Sequence, residues 1–317
     1  MEKSLKQFGV KKLLGKYAVY LAFLILFIAC ALASPVLLTA NNLINVLRQI
    51  AVIGIISVGM TFVIITGGID LSVGAIVAMS AVVATSFARE GSQFPVGFAV
   101  LLGILVGLAM GAFTGFFVAK MKVAPFIATL ATMTIGRGFA YIYTDGRPIT
   151  GLSDAYTFIG KGTVGVVPVP VIIFAVVVVI GVFLLHYTKF GRQVFAVGGN
   201  EHSAVVSGIN ATKIKFFVYL LSGLLSAVAA IVLSSRIQTG QPNAGDGYEL
   251  DAITAVVIGG TSLSGGTGTI VGSMIGMLII GVMTNGVDLL SVSSYYQQVI
   301  KGVIILVAVT MDRKKLA

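Results

Sequence analysis

Long apolar stretches separated by short polar ones run through almost the whole chain. Reading runs of about 20 apolar residues as membrane-crossing helices gives segments at 17–34, 50–66, 74–88, 95–119, 124–143, 165–186, 215–234, 251–263, 269–287 and 295–311. The pattern predicts an all-α polytopic membrane protein of about ten transmembrane helices. It forms a single membrane domain over residues 1–317, with the membrane region at 17–311. Residues 18–33, with Lys11, Lys12 and Lys16 before them, have the outline of a signal peptide. Pro35 and further apolar runs follow, so this segment reads as an uncleaved first helix.

Two segments fit the pattern poorly. Residues 251–263 are too few to cross alone, and 124–143 contains Gly136, Arg137 and Gly138. One motif also occurs twice, each time just after an apolar run: GGIDLSVG at Gly67 to Gly74 and GGTSLSGG at Gly259 to Gly266. Both obey G-G-x-x-L-S-x-G. Glycine-interrupted hydrophobic segments at matching places in two halves point to a transporter's pathway. Gly67, Gly68, Asp70, Ser72 and Gly74 in the first copy, with Gly259, Gly260, Ser264 and Gly266 in the second, are therefore the candidate helix breaks and pathway residues. Ser72 and Ser264, at equivalent places, are the expected pathway hydroxyls. The glycine-dense runs GILVGLAMGAFTG and GSMIGMLIIG read as close helix packing through small residues.

Composition agrees with a membrane protein. Of 317 residues, 57% are hydrophobic and only 10% charged, where a soluble chain carries about 25% charged residues. The net charge of +10 raises the question of nucleic acid, but its distribution answers otherwise. With the amino terminus inside, fourteen of the 21 Lys and Arg residues fall on the cytoplasmic side. Five (Arg48, Arg89, Arg147, Lys161 and Arg236) fall outside, and Arg137 and Lys301 lie within spans. The positive-inside rule then places both termini in the cytoplasm, and no nucleic-acid partner is implied.

The one long cytoplasmic loop is 187–215. Asn200 is a candidate N-cap, Glu201 lies in the first turn behind it, and Gly208 is a helix stop. A short helix flanked by glycines in this position suits a docking element. Chemistry is sparse elsewhere. The only histidines are His186 and His202, and the lone Cys30 has no disulfide partner. The stretch GVKKLLGKY at Gly9 misses the phosphate-binding loop in glycine spacing and has Tyr17 where Ser or Thr would hold magnesium. Nucleotide must bind elsewhere if ATP powers the protein. Asp70 suits a carboxylate cap on the helix that follows. Arg137 is expected to pair with a backbone carbonyl or with Asp70, and Lys301 to snorkel to the outer surface. The segment TGQPNAGDGYELD at Thr239 reads as a polar outer loop.

Several stretches together resemble the sugar ABC-importer permeases of the ribose type. They are GMTFVIITGGIDLSVGAIVAMSA at Gly59, APFIATLATMT at Ala124 and GRQVFAVGGNEHSAVVSGI at Gly191. QPNAGDGYELDAITAVVIGGTSLSGGTGTIVGSMIG at Gln241 and SSYYQQVIKGVIILVAV at Ser293 complete the order. The resemblance implies a permease subunit that moves a monosaccharide, ribose by expectation, across the bacterial cytoplasmic membrane. It implies a homodimer, a separate ATP-binding-cassette protein that holds ATP and Mg, and an extracytoplasmic sugar-binding protein. No cofactor is bound by the permease itself. It also implies that 187–215 is the ATPase-coupling loop, with Gly198, Gly199, Asn200, Glu201, Ala204, Ser207, Gly208 and Ile209 at its centre. His202 and Ser203 depart from the two alanines common in the family. An ion-coupled secondary transporter is the alternative, and it would need Asp70 as its ion or proton site.

Overall fold

The structure is a computed structural model and describes residues 19–313. The basic stretch through Lys16, together with Lys314 and Lys315, lies outside the described residues. The first helix, α1 (Val19–Ala33), leads through a 3-10 turn at Pro35–Leu38 into α2 (Ala40–Ile65). Then come α3 (Val73–Phe87), α4 (Val96–Gly115) with a π-helical continuation to Lys120, and α5 (Pro125–Thr144). A short α6 (Asp154–Lys161) and an antiparallel hairpin, Thr163–Val164 with Val167–Pro168, precede α7 (Val169–Tyr187). Two short helices, α8 (Lys189–Gly199) and α9 (Glu201–Val206), connect to α10 (Ala211–Ile237). The chain ends with α11 (Tyr248–Ile258), α12 (Ile270–Leu289) and α13 (Ser294–Arg313).

The all-α expectation holds, but span lengths differ from the apolar runs. Among the described residues, five helices are long and apolar enough to cross a membrane by length and composition: α2, α4 with its continuation, α7, α10 and α12. The run predicted at 50–66 begins ten residues earlier, at Ala40, because Asn41, Asn42 and Arg48 sit on a continuous helix. α11 has 11 residues, so it rises only about 16 Å, roughly half of a 30 Å hydrocarbon core.

α2 is the axis of the molecule. Of its most apolar stretch 89% is buried, against 22% for α4 and for α7, which leave apolar flanks to face lipid. Small residues set the packing distances. A β-carbon at Gly107 would meet Ala227 and Gly223, and one at Gly111 would meet Tyr219 and Gly223, so α4 lies directly on α10. Gly276 likewise presses on Ala255, joining α12 to α11. Such contacts supply the dispersion energy that a bilayer, being as apolar as the side chains, does not.

The polar segment that begins at Thr239 is packed along α3, and its last residues, Tyr248 to Asp251, belong to α11. Gly240 and Ile149 exchange backbone hydrogen bonds of 2.8 and 2.9 Å. Gly240 packs on Thr85, and five residues later Gly245 packs on Gly74 and Val77. Arg137 Nη1 donates to Pro242 O (3.0 Å) and Ala244 O (2.8 Å), so its partners are carbonyls of this segment, the first of its two expected types of partner. Lys301 does not snorkel outward: it forms an ion pair with Asp251 at 2.7 Å, the carboxylate being only 7% exposed. A charge pair in that setting ties α13 to α11, because either charge left alone there would be costly.

Candidate functional site: two helix breaks and the loop beside them

The first break begins where α2 runs out. Gly67 adopts φ 75°, a left-handed conformation that glycine takes without steric cost. Its N–H donates to Ile64 O (2.9 Å), and Gly68 N–H donates to Val63 O (3.1 Å). This is a Schellman ending, which satisfies carbonyls that an α-helix C-terminus leaves open. Beyond it lies Asp70, 1% exposed. One carboxylate oxygen, Oδ1, accepts from Ser72 N (2.9 Å) and Ser72 Oγ (2.5 Å). The other, Oδ2, accepts from Ser222 Oγ on α10 (2.7 Å). α3 starts at Val73 with Ser72 as its N-cap, two residues later than the cap expected at Asp70, so Asp70 instead holds the Ser72 N–H in the turn before the helix and fastens the break to α10. Ser72 is fully buried with its hydroxyl given to Asp70, so it faces no open space in this conformation. Gly74 is needed because a β-carbon there would meet Gly245 O and the Glu249 carboxylate.

The second break ends α11 in the same way. Gly260, at φ 91°, donates to Val257 O (3.0 Å), and Thr261 N–H donates to Val256 O (3.2 Å). The left-handed residue is therefore the second glycine of the pair here and the first in the other copy, an offset of one that the sequence template hides. Ser262, which replaces Asp70 in the template, accepts from Ser264 N at 3.3 Å. Ser264 is exposed. Gly265 and Gly266 are both left-handed (φ 86° and 74°). Thr269 then caps α12, its hydroxyl accepting from Gly272 N at 3.0 Å. Gly259 packs on Gly272 so closely that a β-carbon on either would strike the other's backbone.

These two breaks, far apart in sequence, touch. Gly266 N–H donates to Ile65 O at 2.9 Å, supplying the partner that the last turn of α2 lacks internally. Gly198, near the end of α8, lies against the same carbonyl, and Gly199 lies against Gly266. The loop that follows has the order expected of a docking element. Asn200 Oδ1 accepts from Ser203 N (2.8 Å) and caps α9. Gly208 ends it at φ 84°, with Ile209 N–H donating to Ala204 O (3.0 Å). Ala204 is buried while Val205 and Val206 are 53% and 76% exposed. Ser207 is exposed, its hydroxyl turned back onto Ser203 O. Glu201 pairs with Lys215 at 2.6 Å, both at least partly solvated, so the pair adds little energy.

Sequence reasoning missed α8, whose glycines at 191, 198 and 199 look like loop residues, and missed Ser222 and Tyr219 as partners of the first break. The signal for Ser222 is a pair of hydroxyls, Ser222 and Ser226, one turn apart in the mostly apolar middle of α10. Thr61 on α2 and Ser273 on α12, 2.8 Å apart, form a second buried polar link of the same kind.

Comparisons with known proteins agree with one another. Residues 42–309 match the family described as branched-chain amino acid transport system / permease component. The ribose import permease protein RbsC of Bacillus subtilis (strain 168) is 51% identical over 311 residues, covering 98% of this chain and 95% of that protein. The ribose import permease protein RbsC of Escherichia coli (strain K12) is 48% identical, with 93% and 92% covered. The L-arabinose transport system permease protein AraH of the same strain is 37% identical, with 97% and 93% covered. No solved structure matches the chain. Because the matched residues span the breaks, the threaded segment and the loop, this chain belongs to the family of branched-chain amino acid transport system permease components.

Proposed function

We propose that this chain is the membrane subunit of an ATP-binding-cassette importer for a monosaccharide, ribose. The observation that carries this reading is 51% identity along nearly the whole length to a ribose import permease, against 37% to an arabinose permease. The chain is a transport component and not an enzyme: it binds no cofactor, and a separate subunit holds ATP and Mg and hydrolyses the nucleotide. A sugar-binding protein delivers the substrate from outside. Two copies of the chain, embedded in the cytoplasmic membrane of a bacterium, enclose the pathway. Each crosses ten times, by α1 to α5, α7 and α10 to α13, with both termini in the cytoplasm. The short α11 completes its crossing with the threaded segment at 239–247 on one side and the second break on the other.

Exposed Val205 and Val206 on the capped α9 support docking of the ATP-binding subunit on residues 198–209. Secondary transport would need Asp70 free to bind an ion or proton, and both of its oxygens are occupied by donors from the protein. The test is reconstitution in liposomes with the cassette protein and the sugar-binding protein. Labelled ribose should enter only with both partners and ATP. Uptake by the permease alone under a sodium or proton gradient, abolished by Asp70→Asn, would replace this reading with the secondary transporter.

A further inference from the structure

Three segments meet backbone to backbone at one point, and their proximity has a direct mechanical meaning. Ile65 ends α2, Gly265 and Gly266 lie in the second break, and Gly198 precedes by two residues the Asn200 that caps α9. A β-carbon at Gly198 would overlap Ile65 O, with Gly266 N next nearest. A β-carbon at Gly265 would lie 2.7 Å from Gly198 O, 3.1 Å from Gly67 N and 3.1 Å from Ile65 O. No flexible side chain intervenes, so none of the three can shift alone without opening the Gly266 to Ile65 hydrogen bond or colliding. Packed backbone of this kind transmits displacement because it has no side-chain freedom to absorb it.

We infer that Gly198 is the positioning residue through which docking on the cytoplasmic loop sets the two glycine breaks, which therefore move as one joint. The inference rests on the importer reading above and adds to it the point of force transfer. α9 is rigidly capped at Asn200 and α8 is a single short helix, so a push on α9 travels back along α8 and arrives at Ile65 and Gly266. Because α2 ends at this junction and the break that follows α11 closes on it, the inner ends of the two helices shift together.

Gly97 provides a control within the protein. A β-carbon there would meet open space, whereas one at Gly198 meets backbone, and Gly97 lies in the first turn of α4, away from the breaks and the loop. In nanodiscs holding the permease, the cassette protein and the sugar-binding protein, Gly198→Ala should still co-purify with the cassette protein and support ATP hydrolysis. Ribose moved per ATP should fall about tenfold, as overpacking of a close contact predicts. Gly97→Ala should stay within about twofold of wild type. Equal effects of the two, or normal uptake by Gly198→Ala, would overturn the inference. Should Gly198→Ala not be recovered from membranes, hydrogen exchange on the wild-type complex decides. Binding of the ATP-loaded cassette protein must alter exchange at 64–68 and 262–267 together, and a change confined to 198–209 would overturn the joint. Failure of wild-type permease to assemble with the cassette protein at all would remove the importer reading and this inference with it, an outcome distinct from assembly without coupled exchange.

Discussion

The first glycine break holds a fully buried carboxylate between two helices, whereas the second has Ser262 at the matching position and relies on glycine backbone against backbone. Both end their helices with a Schellman turn, so both solve the same problem, the open carbonyls of a helix that stops inside protein. They differ in what fixes them afterwards. Asp70 gathers three donors from Ser72 and Ser222 and locks the break to α10 by charge-assisted hydrogen bonds, the stronger kind. The second break is closed by the crossing of Gly259 on Gly272 and by the Gly266 to Ile65 bond. The first break is thus anchored by a buried carboxylate, and backbone packed on backbone closes the second. A carboxylate lattice stays closed as the joint moves, while a shape contact can part, so the first break is the half that stays closed and the second the half that opens.

The sharpest way to break this comparison is to remove the anchor. Asp70→Ala leaves two buried hydroxyls and a buried N–H without an acceptor, a loss of about 3–5 kcal/mol. Ser262→Ala removes a neutral, half-buried hydroxyl and no charge, and should cost about 1 kcal/mol. Thermal unfolding of the detergent-purified permease checks both, and similar losses at the two sites would mean that the breaks are held alike.

A smaller effect tests the offset of one residue between the copies. Gly259→Ala drives a methyl into the backbone of Gly272 and should cost about 1–3 kcal/mol by overpacking. Gly68, its neighbour in the other copy's pair, faces the Tyr219 hydroxyl and Val63, and a side-chain end yields more readily than a backbone. Gly68→Ala should therefore be milder than Gly259→Ala. Gly260→Ala meets open space but must hold φ 91°, at a strain of about 1–2 kcal/mol. If stability instead tracked the sequence template, Gly68→Ala and Gly260→Ala would behave alike.

Much of this was legible in the chain. Apolar runs fixed the helical class, the repeated glycine motif located both breaks, and Asn200 with Gly208 bracketed α9. The rest depended on contacts between distant segments, which no local pattern encodes. Arg137 gave away that it needed a buried partner, but carbonyls of residues 242 and 244 carry no side-chain signature. Lys301 read as snorkelling because its length permits that, and only the proximity of α11 supplies Asp251. The threaded segment at 239–247 looked like an exposed turn because polar, glycine-rich residues serve equally well where a backbone must press against a neighbouring helix. The one-residue offset was invisible because either glycine of a pair can take the left-handed position.

The smallest perturbation asks about exposure and leaves folding intact. Ser72 and Ser264 are equivalent in the repeat, but Ser72 is buried with its hydroxyl on Asp70, and Ser264 is exposed. In a Cys30→Ala background, chosen because Cys30 is the sole native thiol, each serine is replaced singly by cysteine in inverted membrane vesicles. Ser264→Cys should react with a membrane-impermeant maleimide at a rate typical of an open thiol. Ser72→Cys should stay protected, and its exchange of a hydroxyl donor for a weak thiol should lower stability by only about 1 kcal/mol. Adding ATP, the cassette protein and the sugar-binding protein then separates the closed half from the opening one. The Ser264→Cys rate should change through the cycle as the joint moves and the second break opens, while Ser72→Cys remains dark, because the Asp70 lattice keeps its segment packed on α10. Labelling of Ser72→Cys during turnover would show that the anchored break also opens, and the division into a half that stays closed and a half that opens would then fail even though the importer itself worked.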